Sequence, residues 1–487
     1  MKDFETQNLL ALQSLEKGQY QQALNQIDLA IQLAPLAAQA HDNRGIILQR
    51  MGLLDEALTS HNEAIQANPN LAKAYNNRAT VYFALGQLDL ALIDIQRAIH
   101  LQPDLSESHC NLANVYHRQG RYEQALEAYD KALSLNPSNQ TALSSRGNTL
   151  KELGQFNESM ASHTRAMQIA PHQQDIRYNA SHLLLLLGHL KEGFYLYEDR
   201  LKNKVFAQFE KRHNDLTLEK LANKTVLVEW EQGIGDNFQF CRYLPLLAKM
   251  NAQVMFMAPK KMHKLFSSLG PEIQLVDQTP TDILYDEHLP LLSLPRIFKT
   301  ELNSIPYQNP YLFVAAAKVK EWQQRLGDHG FKIGICWQGS TVYKDDHVRS
   351  FAVSHFKEIG SIPDVRLISL HKGVGEIQLK TLPEGMVVEA FDDNFLAAED
   401  AFVDLAGIIM NLDLVITCDT SIAHLAGALG VPTWIALKKV PDWRWMLDRE
   451  DSPWYPNLRV FRQVQAGDWT SIFEEFKQQI RQLKSHE

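Results

Sequence analysis

Glycine recurs every 34 residues through the first 190 residues of this 487-residue chain. Proline, alanine and a further small residue recur with the same period, each in its own register. The four series are Gly18, Gly52, Gly86, Gly120, Gly154 and Gly188; Pro35, Pro69, Pro103, Pro137 and Pro171; Ala30, Ala64, Ala98, Ala132 and Ala166; and Ala11, Gly45, Ala79, Ala113, Gly147 and Ser181. A chain with this internal period folds as a stack of identical supersecondary units.

Each unit is predicted to be a helical hairpin. The glycine ends the first helix in the left-handed conformation, and the proline follows the end of the second helix. The small residues allow neighbouring helices to approach closely. One hairpin cannot bury its apolar face alone, whereas six stacked hairpins bury a continuous core. The pattern therefore predicts an α-solenoid of six hairpins over residues 1–204.

This pattern resembles the tetratricopeptide repeat, whose first helices line a concave face. Two residues before the small position, four units carry asparagine and a fifth carries Ser145. The asparagines are Asn43, Asn77, Asn111 and Asn179. The resemblance extends to the superhelix of protein O-GlcNAc transferases, and implies a ladder of amides that binds an extended acceptor peptide. Local packing or solvation of the helices is the alternative role for these side chains.

Strands and helices alternate in the second half of the chain. The predicted strands are Thr225–Trp230, Val254–Ala258, Ile273–Asp277, Lys332–Trp337, Val365–His371, Met386–Ala390, Leu414–Cys418 and Thr433–Leu437. The predicted helices are Phe238–Met250, Lys260–Leu269, Ser354–Gly360, Ala398–Met410, Ser421–Leu429 and Trp469–Leu483. Such alternation indicates parallel sheets with crossover helices. A break around Ala315–Leu326 divides the region into two Rossmann-like halves, residues 205–318 and 319–487.

The loop "EQGIGD" follows the first predicted strand. Gly233 and Gly235 permit a tight turn and close backbone approach, and Asp236 stands at the start of the next helix. In parallel α/β folds, ligands bind beyond the carboxyl ends of the strands, at helix N-termini. Asp236 is therefore a candidate catalytic acid or base. An ordinary helix N-cap is the alternative.

A second loop, "CDTSIAH", occupies the corresponding position in the other half. A buried strand leads into Asp419, Thr420 and Ser421, and His424 lies in the first turn of the following helix. Free N–H groups, the helix dipole and two hydroxyls predict a site for a diphosphate. A structural histidine is the alternative role for His424.

Together the two loops resemble those of the ADP-heptose:lipopolysaccharide heptosyltransferase group, and of bacterial proteins that fuse tetratricopeptide repeats to such a domain. "GIGD" and "DTSIAH" match in type and order, and "EQGIGDNFQFCRYLPLL", "ICWQGS" and "PDWRWMLDREDSPWYPNLRVFRQ" resemble the fused group's segments. The resemblance implies a GT-B fold, Asp236 as catalytic base and Asp419 to His424 as donor-diphosphate loop. Ser421 departs from the family's usual glycine.

The resemblance also implies a cation after the first strand of the C-terminal half. The loop "WQGSTVYKDDHVRS" offers Arg349, which we take as the group that stabilises the leaving phosphate, and Lys344, which stays open. An exposed loop charge is the alternative for either. Further donor contacts are expected from Trp337, Gly339 and Ser340 on the same loop, and from Lys372 after the next strand. Trp443, Trp445, Trp454 and Tyr455 either pack a long loop or stack on a sugar or base.

Composition restricts the function classes. A formal net charge of −9 argues against broad nucleic-acid binding. The first residues lack a signal-peptide pattern, and the longest apolar run, near Leu183, is too short for a membrane span. The four cysteines form no CxxC pair, which argues against disulfides and zinc and favours a reducing cytoplasm.

The sequence thus predicts a cytoplasmic, metal-independent, inverting glycosyltransferase without a cofactor. It would move a sugar from a nucleotide-activated donor to a hydroxyl of a protein acceptor held by the repeats, such as a flagellin or another surface protein. A glycolipid or polysaccharide acceptor is one alternative, and a non-catalytic scaffold with a relict transferase domain is another. The nucleotide, the sugar, the acceptor residue and the oligomeric state, including a homo-oligomer, stay open.

Overall fold

The computed structural model describes residues 2–202, 209, 216–280, 283–306, 310–340, 346–391 and 400–485. The chain divides into two compact units, a first unit Met1–Ala180 and a second unit Ser181–Glu487. The predicted end of the repeats at residue 204 lies beyond the first unit. Within the described ranges, no helix has both the length and the apolar character needed to cross a bilayer.

The first unit is built from antiparallel helical hairpins. Its helices are α1 (Lys2–Glu16), α2 (Tyr20–Leu33), α3 (Ala38–Met51), α4 (Leu54–Ala67), α5 (Ala72–Ala84), α6 (Leu88–Leu101), α7 (Ser106–Arg118), α8 (Tyr122–Leu135), α9 (Gln140–Glu152), α10 (Phe156–Ile169) and the start of α11 (Gln174–Leu186). Helices pack pairwise from α1 with α2 to α9 with α10, and each pair packs on the next. The predicted α-solenoid is confirmed.

The periodic residues have the roles that their spacing predicts. All six periodic glycines have positive φ, between 72° and 83°, directly after a first helix. The five periodic alanines from Ala30 to Ala166 are fully buried between helices. At the small position, a methyl group on Gly45 would lie 2.5 Å from the His61 ring. The period therefore encodes both the turns and the helix contacts.

The second unit begins with a helical part and a first α/β part. Its elements are the end of α11, then α12 (Leu190–Tyr197), α13 (Leu218–Leu221), β1 (Thr225–Glu229), α14 (Ile234–Phe240), α15 (Leu244–Ala248), β2 (Gln253–Met257), α16 (Lys260–Phe266), β3 (Ile273–Val276), β4 (Glu287–Pro290), α17 (Leu294–Ile297) and α18 (Ala316–Leu326). The predicted division at residues 318 and 319 falls inside α18. The four strands form a parallel sheet in the order β3-β2-β1-β4.

A second α/β part follows. Its elements are β5 (Phe331–Cys336), α19 (Asp346–Arg349), α20 (Lys357–Gly360), β6 (Val365–Ser369), α21 (Ala401–Ile409), β7 (Leu414–Thr417), α22 (Ser421–Leu429), β8 (Thr433–Leu437), β9 (Leu458–Arg462) and α23 (Thr470–Ser485). The strands form a parallel sheet in the order β6-β5-β7-β8-β9. Its core lies between the sheet and the aromatic face of α23. Two parallel sheets are thus confirmed.

Two predicted elements differ from the structure, and two strands were not predicted. The predicted strand Met386–Ala390 is wrong, because this segment makes a single bridge, between Glu389 and Ile368. The predicted helix Phe238–Met250 starts earlier and is split into α14, a 3-10 turn and α15. Strands β4 and β9 were not predicted. Strand β4 is short and polar, and β9 is interrupted by charged residues.

Candidate active site

Each sheet has one point at which the chain order of its strands reverses. In the first sheet the chain order reverses between β1 and β4, and in the second between β5 and β7. Ligands of open parallel sheets bind beyond the carboxyl ends of the strands at such reversal points. The loops after β1, β5 and β7 are those that carry the predicted site residues. Topology therefore supports these loops as a ligand site, independently of their sequence.

The loop after β1 is held in a tight turn. Gln232 has a left-handed backbone, with φ of 58°, which is uncommon outside glycine. The Tyr197 hydroxyl and the Gln232 side-chain amide hydrogen-bond each other. A methyl group on Gly235 would lie only 2.8 Å from Cδ2 of His424 and 3.4 Å from Cα of Ser421. Gly235 is therefore where the two predicted loops touch.

Asp236 lies in the first turn of α14 with both carboxylate oxygens engaged. Oδ2 accepts a hydrogen bond of 2.9 Å from the Gly233 backbone N–H. Oδ1 forms an ion pair with Nη2 of Arg444, a residue more than 200 positions later in the chain. The first contact is that of a capping box: Asp236, the third residue of the helix, accepts the N–H of the N-cap residue Gly233 and is not itself the N-cap. The second places a guanidinium directly on the candidate base.

The loop after β7 forms the start of α22. The Thr420 hydroxyl caps the helix by accepting the N–H of Ile422, and it also contacts the hydroxyl of Thr417 at 3.0 Å. Ser421 opens the helix and is half-buried. The helix packs directly against α14. The predicted N-terminus of a crossover helix thus lies beside the candidate base.

His424 is buried inside this contact. Its Nδ1 lies 2.9 Å from the Tyr455 hydroxyl, and its ring stacks on Trp445 at 5.2 Å between centroids. Burial, together with the positive charge of Arg444, lowers the pKa of His424 to about 3. The side chain is therefore a neutral imidazole at neutral pH, which can offer one N–H to a ligand.

The buried imidazole predicts a pH dependence of stability. Because the folded pKa of His424 lies below its unfolded value of about 6.5, its contribution is complete above pH 6.5 and is lost as pH falls toward 3. We expect about 2 kcal/mol of the free energy of unfolding to be lost from this group between pH 7 and 5. The measurement is urea denaturation at both pH values, for wild type and His424→Gln.

The wild-type pH dependence of stability has to be compared with that of His424→Gln, because Asp419 titrates over the same pH range. Burial and the neighbouring Asp442 raise the pKa of Asp419 to about 6. This group therefore stabilises the folded state as pH falls from 6 to 4, opposite to His424. The difference between wild type and His424→Gln isolates the histidine. Equal pH slopes in the two proteins would contradict a buried neutral imidazole.

Arg349 lies near Asp419 and close to the loop after β5. Its Nε donates to Asp346 at 3.0 Å, and the charge of Asp419 helps to keep the pKa of Arg349 above its ordinary value although burial opposes this. A methyl group on Gly339 would clash with Nη2 of Arg349. The structure thus brings Arg349, Gly339 and Asp419 together, as the sequence predicts.

Other predicted donor residues are placed differently. The Trp337 side chain is fully buried, donates to the Gly375 carbonyl and packs on His371, so its ring faces the core rather than the loop. Lys372 is paired with Glu376 at 2.7 Å and donates to the Phe391 carbonyl. Ser340 is exposed. Lys344 lies outside the described residues.

The aromatic residues after β8 form packing contacts. Trp443, Trp445, Trp454 and Tyr455 are all buried, and Trp443 and Trp454 contact Phe240 of α14. Aromatic packing, one of the two roles considered for this segment, therefore describes the structure.

Sequence reasoning missed the charged partners of the site. Arg444 stands inside the segment "PDWRWMLD" and was not singled out. Arg200 lies in the short 3-10 helix Glu198–Lys202 that follows α12. Its Nε and Nη2 donate to Glu231 of the loop after β1 at 3.1 and 2.8 Å, and its Nη1 donates to Glu198 at 2.8 Å. These partners are distant in sequence, so only their burial among opposite charges identifies them.

The asparagine ladder is engaged between adjacent repeats. Each Nδ2 donates to a side chain 35 positions earlier, with distances between 2.9 and 3.2 Å. The pairs are Asn43 with Asn8, Asn77 with Asp42, Asn111 with Asn76, and Asn179 with Ser144. The structure thus shows the packing role that was considered for these asparagines. A bound peptide would have to use the N–H and carbonyl groups of the amides that these contacts leave available.

Models of protein families match the first part of the chain. Two tetratricopeptide repeat models match, one at residues 72–105 and 106–139 and the other at residues 9–72. Protein FlbA of Caulobacter vibrioides (strain ATCC 19089 / CIP 103742 / CB 15) is 26% identical over 314 residues, covering 59% of this chain and 52% of that protein. The chain thus spans about half the length of the curated relative it matches.

Solved structures are similar to part of the chain. TTC0263, a thermophilic TPR protein in Thermus thermophilus, is 22% identical with a TM-score of 0.35, covering 37% of this chain and 99% of its own. A structure from the functional characterization of Pseudomonas aeruginosa pilF is 18% identical with a TM-score of 0.36, covering 43% and 97%. The family models and the helical hairpins agree: the chain contains tetratricopeptide repeats, followed by a part with two parallel α/β sheets.

Proposed function

We propose that the second unit is a GT-B glycosyltransferase that moves a sugar from a nucleotide-activated donor to a protein hydroxyl, without a metal ion. The acceptor oxygen attacks the anomeric carbon and its proton passes to Asp236. The bond from the anomeric carbon to the phosphate oxygen breaks, and the nucleotide leaves with the electron pair. A single displacement of this kind inverts the anomeric configuration.

One observation carries the proposal. Two loops from the reversal points of two parallel sheets meet at Gly235, which leaves room for the His424 ring against its backbone. One loop brings a carboxylate, Asp236, and the other brings a helix N-terminus with Thr420 and Ser421. A carboxylate beside an anion-binding helix end suits transfer from a phosphorylated donor.

Arg349 and the α22 N-terminus would stabilise the charge that develops on the leaving phosphate. The arginine lies close to Gly339 and interacts with Asp419, so its charge is directed to the loop after β7. Guanidinium and backbone N–H groups both bind phosphate oxygens well. The site thus offers a candidate base together with groups that can stabilise an anion.

The repeats are proposed to bind the protein acceptor. Tetratricopeptide repeats expose extended concave surfaces, which are suited to polypeptides. The inter-repeat hydrogen bonds of Asn43, Asn111 and Asn179 each need one N–H of the amide, and an amide has two. A glycolipid or polysaccharide acceptor would keep the same chemistry and leave the repeats for assembly.

A non-catalytic protein-binding scaffold is the second candidate. It is favoured by the ion pair between Asp236 and Arg444, which occupies the candidate base, and by the tetratricopeptide repeat models that match the first part of the chain. Nucleotide binding separates the two candidates, because a scaffold with a relict site has no need to retain it.

The test is thermal stabilisation of the full chain by ADP, UDP, GDP, CDP and CMP. All eight tryptophans lie after residue 181, so tryptophan fluorescence reports on the second unit alone. A nucleotide at one hundred times its dissociation constant adds about 2.7 kcal/mol to the free energy of unfolding. We expect one nucleotide class to stabilise the second unit clearly more than the others.

Ser421→Asp is the matched control. An acidic residue in the first turn of a helix does not destabilise the free protein, but its charge would repel a bound phosphate. The variant should therefore keep the melting temperature of the free protein and lose the nucleotide shift. Absence of a shift with all five nucleotides in wild type would favour the scaffold.

A further inference from the structure

Arg444 is buried among carboxylates at the contact between the two loops. Its Nη2 pairs with Asp236, and its Nη1 donates to Asp442 at 2.8 Å. The guanidinium stacks 4.2 Å from the Trp443 ring centroid, and the side chain is 10% exposed. The neighbouring charges of Asp236 and Asp442 hold the pKa of Arg444 well above its ordinary value although burial opposes this. Its charge is therefore permanent.

This arrangement restricts the access of an acceptor hydroxyl to Asp236. Asp236 accepts the Gly233 N–H through one oxygen and binds Arg444 through the other. A general base must offer an oxygen to the hydroxyl whose proton it takes. Removal of Arg444 from Asp236 would therefore free Oδ1 to accept the hydroxyl of the acceptor.

The surroundings of Arg444 indicate what could remove it. Its charge acts on His424 and Asp419, which belong to the loop after β7. Its Nε–H is buried without a hydrogen-bond partner among the described residues. An arginine with an unused donor, beside the N-terminus of a nine-residue helix, is well suited to a dianionic group.

We propose that Arg444 exchanges partners during the reaction: the donor diphosphate draws it from Asp236, so that donor binding releases the catalytic base. This inference rests on the proposed glycosyltransferase function. Phosphate oxygens carry more charge than one carboxylate and accept bidentate hydrogen bonds from a guanidinium. In the exchange, Asp236 stays paired with Arg444 until a donor is bound. The base is then not available to other hydroxyl groups in the absence of a donor.

A double-mutant cycle tests the exchange. Binding of inorganic pyrophosphate and of the five nucleotides is measured by calorimetry on the full chain, for wild type, Asp236→Asn, Arg444→Gln and the double variant. Arg444→Gln should weaken binding roughly tenfold or more, because charge-assisted hydrogen bonds are lost. Asp236→Asn should tighten it roughly fivefold, because the ligand no longer displaces a competing ion pair.

The double variant distinguishes exchange from general electrostatics. Removing any nearby negative charge favours an anion, and that effect persists without the arginine. In the exchange mechanism, Asp236→Asn tightens binding clearly less in the Arg444→Gln background than in wild type, so the two changes are not additive. Additive effects overturn the inference.

The remaining outcomes are also informative. Asp236→Asn preserves the size of the side chain and its contact to Gly233, so this variant tests the inference even if Arg444→Gln fails to fold. Unchanged or weaker binding in Asp236→Asn overturns the inference. If wild type binds none of the six probes, the proposed function fails together with the inference. If wild type binds and the cycle is additive, only the exchange fails.

Discussion

Asparagine at position 236 is expected to lower sugar transfer by roughly two to four orders of magnitude, while binding of the donor nucleotide is retained. The substitution keeps the shape of the side chain, and its carbonyl oxygen still accepts the Gly233 N–H. An amide, however, cannot take the proton of an attacking hydroxyl. The loss should therefore appear in turnover rather than in donor affinity.

The measurement is the rate of nucleotide release from the nucleotide-sugar whose nucleotide stabilises the second unit. Asp442→Asn is the matched control, because Asp442 also binds Arg444 but through Nη1, whereas Asp236 binds it through Nη2. We expect this control to keep its rate within about tenfold, since it removes one charge and no base.

Two outcomes would contradict the role of Asp236. Wild-type turnover in Asp236→Asn would remove this carboxylate from the mechanism, and Asp419 would then be the next carboxylate to examine. An equal loss in Asp442→Asn would mean that the charge balance around Arg444, rather than proton transfer, determines the rate.

The repeats could be predicted in detail because their information is local. A glycine at positive φ and a buried alanine recur at fixed offsets, and each position has one steric reason. Even the asparagine contacts are periodic, since each partner stands 35 positions earlier. The partners also follow the 34-residue period, so the sequence contains this series of packing contacts as well.

The α/β part could be predicted only in outline. Buried strands such as β7 and β8 are short apolar runs and were found nearly at their bounds. Strand β4, with the sequence "EHLP", has no apolar run, and Met386–Ala390 has one without being a strand. Pairing with neighbouring strands, which lies outside the local sequence, decides these cases.

In the candidate site, too, some residues could be predicted from local sequence patterns and others could not. Gly235, Asp236 and Thr420 could be identified because glycine turns and helix caps are local patterns. Arg444 and Arg200 could not, because their partners come from other elements: Arg444 and Asp236 are separated by 208 positions, and Arg200 and Glu231 by 31. Tertiary structure alone reveals that these charges are buried together.

Arg200→Met is expected to lower the free energy of unfolding of the second unit by about 3–5 kcal/mol. Arg200, Glu231 and Glu198 have side chains that are 3%, 2% and 6% exposed. Methionine fills much of the volume but leaves two buried carboxylates without their main cation, although Arg296 pairs with Glu198 at 3.2 Å. Unpaired buried charge is among the most destabilising changes a core can undergo.

The measurement is urea denaturation followed by tryptophan fluorescence, which reports on this unit. Arg449→Met is the matched control, because its partner Asp451 is 72% exposed, and exposed pairs contribute about 1 kcal/mol or less. Adding Glu231→Gln and Glu198→Gln to Arg200→Met should restore part of the loss, since neutral amides need no cation. If Arg200→Met costs no more than the control, the cluster does not hold the loop that carries Asp236.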